Sequence, residues 1–140
     1  MGILYTTKAM ATGGREGNAK SEDGKLNVTL STPKEMGGDN GPGTNPEQLF
    51  GAGYAACFLG AMKFVAAQEK LALPSEPTVA ATVGIGPNDK GVGFAIEVDL
   101  EIDLGDLERN EAVALVDKAH QVCPYSNATR DNIRVGLTVK

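Results

Sequence analysis

One uncharged segment constrains the fold of this chain more than any other, because no Asp, Glu, Lys or Arg occurs from Leu49 to Met62. Small and apolar residues recur through it at helical spacing, at Leu49, Gly53, Ala56, Cys57, Gly60 and Phe64. Asn45 is a typical N-cap residue, and Pro46 suits the first helical position because its missing N–H would have no partner there. A helix that is apolar on nearly all sides is buried on nearly all sides, so the sequence predicts a long central core helix with Cys57 near its middle.

The length and charge of the chain set its broad class. Its 140 residues suffice for a proper core, so we expect a single domain over residues 1–140. The net charge of −5 and the lack of any basic run argue against a nucleic-acid-binding surface. The central segment is too short and too rich in Gly and Ala for a membrane span, and charged residues follow it at once, so we expect no membrane contact.

The start of the chain indicates the compartment in which the two cysteines work. Residues 1–8 lack the apolar core of a signal peptide, so we expect a cytoplasmic protein. In that reducing compartment, two cysteines are more often buried hydrophobic residues or catalytic thiols than a structural disulfide.

Strand patterns flank the central helix on both sides. The predicted strands are residues 3–12, 18–21 leading into a turn at Asp23-Gly24, 25–32, 78–86, 94–103 and 133–139. A second helix is predicted between Asp106, its expected N-cap, and Pro124, which ends it, and residues 123–129 are a turn or a short helix. The order β-β-β-α-β-β-α-β, with hairpin-like connections, predicts an α+β fold.

The sequence gives little support for three other kinds of functional site. Residues 51–56 match the dinucleotide-binding pattern G-x-G-x-x-G/A, but that pattern needs a strand before it, and here it falls inside the predicted helix. His120 is the only histidine, so no ligand spacing supports a zinc site, and a place on a helix surface fits it better. No G-x-S-x-G motif supports a serine hydrolase. We therefore expect no metal and no bound cofactor.

The two cysteines admit two interpretations. Composition alone favours small core residues, because Cys is among the most buried residue types. Against this, Cys57 lies in a helix built for close packing, and Cys123 precedes Pro124, where the free N–H groups of a new helical turn would favour a thiolate. The isolated Arg15, beside a Gly-Gly turn, is the kind of cation that lowers the pKa of a thiol.

Three segments resemble the organic hydroperoxide resistance proteins, the Ohr branch of the Ohr/OsmC family of thiol peroxidases. They are residues 45–58 with Cys57, residues 122–129 with the sequence V-C-P-Y-S-N-A-T, and the opening strand with Gly13-Gly14-Arg15-Glu16-Gly17. The tail at residues 125–129 favours the Ohr branch over the OsmC branch. The resemblance covers nearly the whole chain, and it implies antiparallel sheets wrapped around a long central helix in an intertwined homodimer.

The resemblance implies a role for each of four residues. Cys57 would be the peroxidatic thiolate that becomes a sulfenic acid, and Cys123 would be the resolving thiol that condenses with it to a disulfide. Arg15 would stabilise the thiolate and polarise the peroxide, and Glu47 would hold Arg15 in a charge-assisted pair. Without the resemblance, Arg15 is as well explained as a solvated turn residue and Glu47 as a first-turn carboxylate that the helix dipole favours.

Helix geometry adds an expectation about the dimer. Glu47 and Cys57 are ten residues apart, roughly 15 Å on a continuous helix at ~1.5 Å per residue. One arginine does not easily touch both, so we predict that Arg15 and Glu47 reach Cys57 across a subunit boundary. The central helices of the two copies would then cross through Gly53 and the neighbouring alanines. The alternative is a helix that begins later than Asn45.

The resemblance also implies the substrate and the reductant. We expect an apolar pocket that buries the alkyl chain of an organic hydroperoxide, with Phe50, Phe58, Phe94, Met36 and Tyr125 as its walls. Dihydrolipoamide or a lipoylated protein would regenerate the thiols. The alternatives are an OsmC-type peroxidase of broader substrate range and, from another class, a non-catalytic thiol redox sensor or small-ligand-binding dimer.

Overall fold

The structure, a computed structural model, describes residues 1–73 and 76–140. The sequence predicts that the central helix ends before Pro74 and Pro77, and of these Pro74 falls outside the described residues. The elements are β1 Ala9–Thr12, β2 Asn18–Ser21, β3 Asn27–Thr29, α1 Pro46–Gln68, β4 Thr78–Pro87, β5 Phe94–Asp103, α2 Arg109–Val122, α3 Pro124–Thr129 and β6 Val135–Val139. Short 3-10 turns cover Gly14–Glu16 and Lys34–Met36. The chain divides into two units, residues 1–49 and 50–140, and the single domain stays a prediction.

Helix α1 begins where its local chemistry predicts. The Asn45 side chain accepts a hydrogen bond from the Gln48 N–H at 2.8 Å, which caps the first turn, and Pro46 is the first helical residue. The alternative of a later start is therefore wrong. By length and composition alone α1 fits a membrane span as well as a core helix, so the expectation that it is too short for a span is wrong. It buries one side rather than nearly all sides as predicted, and this burial favours a core helix. Its buried residues are Gly51, Tyr54, Phe58, Ala61, Met62, Val65 and Ala66.

Residues 1–49 contain an antiparallel sheet in the order β1-β2-β3. Strand β1 is shorter than the predicted residues 3–12, because its partner β2 ends at Ser21, which pairs with Ala9. The side chains of Ile3, Leu4 and Tyr5, which precede β1, are exposed to solvent in the single chain.

Residues 50–140 contain the second sheet, in the order β4-β5-β6. Strands β4 and β5 pair antiparallel over their whole length, but β5 and β6 pair parallel, so the expectation of purely antiparallel sheets is wrong for this pair. The reason is that α2 and α3 lie between β5 and β6, and such a crossover returns the chain in the same direction. The α+β class is confirmed.

The core of residues 50–140 lies between this sheet and the helices α1 and α2. The fully buried side chains of the sheet include Val98, Leu100 and Ile102, and those of α2 include Leu115 and Val116. Along β5, the buried side chains alternate with exposed acidic residues, as the sequence pattern predicts.

Helix α2 begins two residues later than expected. The Glu108 carboxylate accepts from the Glu111 N–H at 3.0 Å, so Glu108 is the N-cap, and the prediction of Asp106 is wrong. A turn comes first, in which the Leu107 N–H donates to the Leu104 carbonyl at 3.3 Å.

We predict that Asn45→Ala lowers the free energy of unfolding by about 1 kcal/mol, because the Gln48 N–H loses its side-chain acceptor. Urea denaturation followed by circular dichroism measures the change. Asn45→Ser keeps a capping oxygen and is the matched control, with a loss of less than about 0.5 kcal/mol. Equal losses in the two variants would contradict the capping role.

Candidate active site

The two cysteines, 66 residues apart in sequence, meet in the structure. The Cys123 Sγ lies 3.6 Å from the Cys57 Sγ, and both are free thiols. Cys123 is completely buried, whereas Cys57 is half-buried. A disulfide has sulfur atoms about 2.05 Å apart, so a small movement joins this pair.

The backbone around Pro124 holds Cys123 in place. Cys123 ends α2, where its N–H donates to the Ala119 carbonyl at 2.8 Å, and it also stands at the N-cap position of α3. Pro124 ends one helix and starts the next, because it lacks an N–H and disfavours a helical residue before it. The corner between the two helices therefore fixes the thiol.

The start of α3 acts on the Cys57 thiol. Burial raises the pKa of the Cys57 thiol, and a hydrogen bond from the backbone N–H of Tyr125 to this thiol opposes the rise. We expected the free N–H groups after Pro124 to favour a Cys123 thiolate. In the structure the Cys123 side chain makes no capping hydrogen bond to this helix, and the Tyr125 N–H lowers the pKa of the half-buried Cys57 thiol instead.

Arg15 and Glu47 form a second cluster, within residues 1–49. The Arg15 Nη1 donates to the Glu47 Oε1 at 2.8 Å, and Nη2 donates to Oε2 at 2.9 Å. The bidentate pair raises the pKa of Arg15 and holds the pKa of Glu47 below its ordinary value. Glu47 accepts from two of the five N–H donors of the guanidinium, and the other three remain for a further acceptor.

Two glycines allow the turn that carries Arg15. Gly13 and Gly14 have φ angles of 75° and 60°, in the left-handed region that favours glycine. The 3-10 turn Gly14–Glu16 then presents the guanidinium toward the first turn of α1, where Glu47 lies. The predicted pairing of Arg15 with Glu47 is present in the structure.

Phe50 and Tyr125, two of the five expected pocket walls, lie together. Their ring centroids are 6.1 Å apart, and Tyr125 also packs 5.6 Å from the ring of Tyr54. A Cβ on Gly53 would stand 2.9 Å from the Tyr125 Oη. Gly53 thus admits Tyr125 of the same chain, and the small residues of α1 that stay exposed are Ala52, Ala56, Gly60 and Ala67.

The other three expected walls lie elsewhere. Phe58 is fully buried in the core, because its face of α1 packs on the sheet, so it is no open wall. Phe94 is exposed at the start of β5, and it lines a groove with Ile85 and Ile133 that neither cysteine lines. Met36 lies exposed in the 3-10 turn of residues 1–49, and its role as a wall stays a prediction.

Sequence reasoning missed a chain of hydroxyl groups near the cysteines. The Tyr54 Oη lies 2.8 Å from the Ser126 Oγ and 3.2 Å from the Thr129 Oγ1. The His120 Nδ1 lies 2.8 Å from the same Ser126 Oγ, so His120 is a half-buried member of this chain rather than a plain helix-surface residue. The only sequence feature that points to this chain of hydroxyl groups is the tail at residues 125–129, which supplies both hydroxyls of α3.

Known proteins are similar to this chain over most of its length. A family model described as OsmC-like protein matches residues 37–138. An organic hydroperoxide resistance protein of Xanthomonas axonopodis pv. citri is 61% identical over 137 residues, which cover 98% of this chain and 95% of that protein. The chain belongs to the organic hydroperoxide resistance branch of the OsmC-like family.

Solved structures of this family agree with the fold. A crystal structure of an organic hydroperoxide resistance protein from Elizabethkingia anophelis is 50% identical, with a TM-score of 0.93 and coverage of 100% of this chain and 99% of that one. The crystal structure of OhrB of Bacillus subtilis is 41% identical, with a TM-score of 0.88 and coverage of 99% and 100%. The Ohr/OsmC-like fold expected from the resemblance is confirmed.

We predict that Glu47→Gln lowers the free energy of unfolding by about 1 kcal/mol near neutral pH, because Arg15 loses its charged partner. The folded-state pKa of Glu47 lies below its ordinary value of 4.5. The stabilisation is therefore fully present above that value and is lost as the pH falls through the lower folded-state pKa. The difference between wild type and variant should shrink on acidification.

Urea denaturation of both proteins at a series of acidic pH values measures this difference. Glu22→Gln is the matched control, because Glu22 pairs with Lys8 at 3.5 Å on an exposed surface. There we expect a change of less than about 0.5 kcal/mol at every pH. A Glu47→Gln difference that stays constant down to the lowest pH would contradict the ion pair.

Proposed function

We propose that this protein is a cysteine-based peroxidase that reduces organic hydroperoxides to alcohols. The Cys57 thiolate attacks the O–O bond, takes up one oxygen as a sulfenic acid and releases an alkoxide, which is protonated to the alcohol. The Cys123 thiol then attacks the sulfenic sulfur, a disulfide forms and water leaves. The observation that carries the proposal is the 3.6 Å approach of a buried thiol to a half-buried one.

The names of the relatives support the substrate class. Proteins of Xanthomonas axonopodis pv. citri and Bacillus subtilis that match almost the whole chain are named for organic hydroperoxide resistance. Phe50 and Tyr125 offer an apolar surface beside the cysteine-bearing helices. Burying an alkyl chain there gains about 0.8 kcal/mol per CH₂ group, a gain that hydrogen peroxide cannot make.

Arg15 is the cation that we propose for activating Cys57. Burial raises the pKa of this thiol, and the thiolate is the attacking species, so a positive charge must favour it. The Arg15 guanidinium, oriented by Glu47, keeps N–H donors for both the thiolate and the peroxide. The roles of Arg15 and Glu47 follow from the family resemblance.

We further propose that two copies of the chain complete each site. Helix α1 is continuous from Pro46 to Gln68, which favours a supply of Arg15 and Glu47 to Cys57 from the partner subunit. Exposed apolar side chains in the single chain, such as Leu4 and Phe64, are typical of a surface that another copy covers. The exposed Ala52, Ala56 and Gly60 would let a second helix come close.

Dihydrolipoamide or a lipoylated protein is the proposed reductant, and the cytoplasm the proposed compartment. A dithiol attacks the Cys57–Cys123 disulfide, becomes a cyclic disulfide itself and returns both protein thiols. No bound cofactor takes part in this scheme, because the protein thiols carry the electrons.

We predict that one equivalent of an alkyl hydroperoxide removes both free thiols of the wild-type chain, since sulfenic acid formation leads to a disulfide. Cys57→Ser should lose none, and Cys123→Ser should form a sulfenic acid with the first equivalent and over-oxidise to a sulfinic acid when a second equivalent is added. Thiol titration and intact-protein mass spectrometry measure these products.

Three outcomes of the same assay argue against the proposal or narrow it. Thiols that survive the treatment in the wild type would exclude catalysis by this pair. Disulfide formation without turnover by dihydrolipoamide would favour the thiol redox sensor. Equal rates with hydrogen peroxide and the alkyl hydroperoxide would favour the OsmC-type enzyme of broader range.

We predict that Arg15→Ala and Cys57→Ser, each inactive alone, regain activity when the two chains are mixed under dissociating conditions and reassociated. If sites are shared between subunits, a mixed dimer contains one intact site, so about a quarter of the wild-type activity returns. Turnover of alkyl hydroperoxide with dihydrolipoamide measures it.

The control mixes Cys57→Ser with Cys123→Ser, and no activity should return, because these two sulfurs meet within one chain. No recovery in the first mixture would place Arg15 and Cys57 in the same subunit. A gel-filtration mass of one subunit at all concentrations would remove the dimer altogether.

A further inference from the structure

The Tyr54 hydroxyl binds two other buried hydroxyl groups next to the cysteine pair. Tyr54 and Ser126 are fully buried and Thr129 nearly so, and the Tyr54 Oη contacts both of the other hydroxyls. A buried hydroxyl without a partner is unfavourable, so each of these groups stabilises the position of the others. The proposed reaction uses none of them directly.

The hydroxyl contact and the sulfur contact join the same helices one turn apart. Tyr54 precedes Cys57 by three residues on α1, and Ser126 of α3 follows Cys123, the N-cap of that helix, by three residues. Residues three apart on a helix are neighbours on one face. The Tyr54–Ser126 contact therefore sets the distance between α1 and α3 at the level adjacent to the two sulfurs.

Helix α3 depends on such contacts because it is short. It has six residues, and a helix of that length is unstable without tertiary packing. Ser126 receives a second contact from His120 of α2, so one hydroxyl joins three helices. The ring of Tyr54 also packs against Tyr125, the residue whose N–H contacts Cys57.

We propose that Tyr54 is a positioning residue for the resolving step: its hydroxyl, bound to Ser126 and Thr129, holds α3 so that the Cys123 thiol stays within reach of a Cys57 sulfenic acid. The inference rests on the proposed peroxidase function. Condensation of the sulfenic acid with Cys123 releases water and forms the disulfide. The competing reaction with a second hydroperoxide gives a sulfinic acid and one alcohol, so a poorly placed Cys123 favours over-oxidation.

The test compares Tyr54→Phe, which removes only the hydroxyl, with Tyr5→Phe, the same change at an exposed tyrosine. Rapid mixing with an alkyl hydroperoxide and acid quenching give the rates of sulfenic acid and disulfide formation separately. We expect Tyr54→Phe to form the sulfenic acid at the wild-type rate and the disulfide about tenfold more slowly. Sulfinic acid should accumulate with excess peroxide in this variant alone.

Two further measurements separate positioning from general stability. Ser126→Ala removes the other half of the contact and should give the same split between the two rates, which also covers the case that Tyr54→Phe does not fold. Equilibration with dithiothreitol redox buffers, without any peroxide, should show a less stable Cys57–Cys123 disulfide in Tyr54→Phe and an unchanged one in Tyr5→Phe.

The outcomes distinguish this inference from the function on which it rests. A wild-type protein that forms no disulfide with alkyl hydroperoxide overturns the proposed function. A wild-type protein that does form it, with Tyr54→Phe resolving at the same rate or with both steps slowed equally, overturns only the positioning role. A selective loss of the resolving step together with the weaker disulfide supports it.

Discussion

The packing of α1 against the corner between α2 and α3 is the interaction on which the site depends. Helix α1 carries no charge through its middle, so it packs closely on the sheet and on α2. That packing brings Cys57 to the end of α2, where Pro124 interrupts the helix and leaves Cys123 at the break. The 3.6 Å contact between the sulfurs is a result of how these helices end and pack.

Two opposing effects act on the half-buried thiol. Removing a sulfur from water disfavours the thiolate, whereas an N–H group at the start of a helix favours it. Within residues 50–140 burial prevails and the pKa of Cys57 is raised. The family resemblance assigns the missing positive charge to Arg15, and the bidentate contact with Glu47 gives that guanidinium a fixed orientation.

Part of the local chemistry was readable from the sequence, whereas the N-cap of α2 at Glu108 and the long-range pairing of strands and side chains were not. The cap at Asn45 and the break at Pro124 depend on a few neighbouring residues, and both are where the sequence predicts them. The parallel pairing of β6 with β5 depends on the path of the crossover between them, which no local sequence pattern predicts. The contact of Tyr54 with Ser126 joins residues 72 positions apart, so composition and spacing gave no sign of it. The pairing of Cys57 with Cys123 was expected only through the family resemblance.

The unequal burial of the two sulfurs gives the proposed disulfide exchange a direction. Cys123 has no exposed surface, whereas part of Cys57 is open to solvent. In the proposed cycle, an incoming thiolate from the reductant attacks the Cys57 sulfur, forms a mixed disulfide there and releases Cys123 as the leaving group. The proposed exchange is one-sided, because only the Cys57 sulfur is open to a molecule from outside.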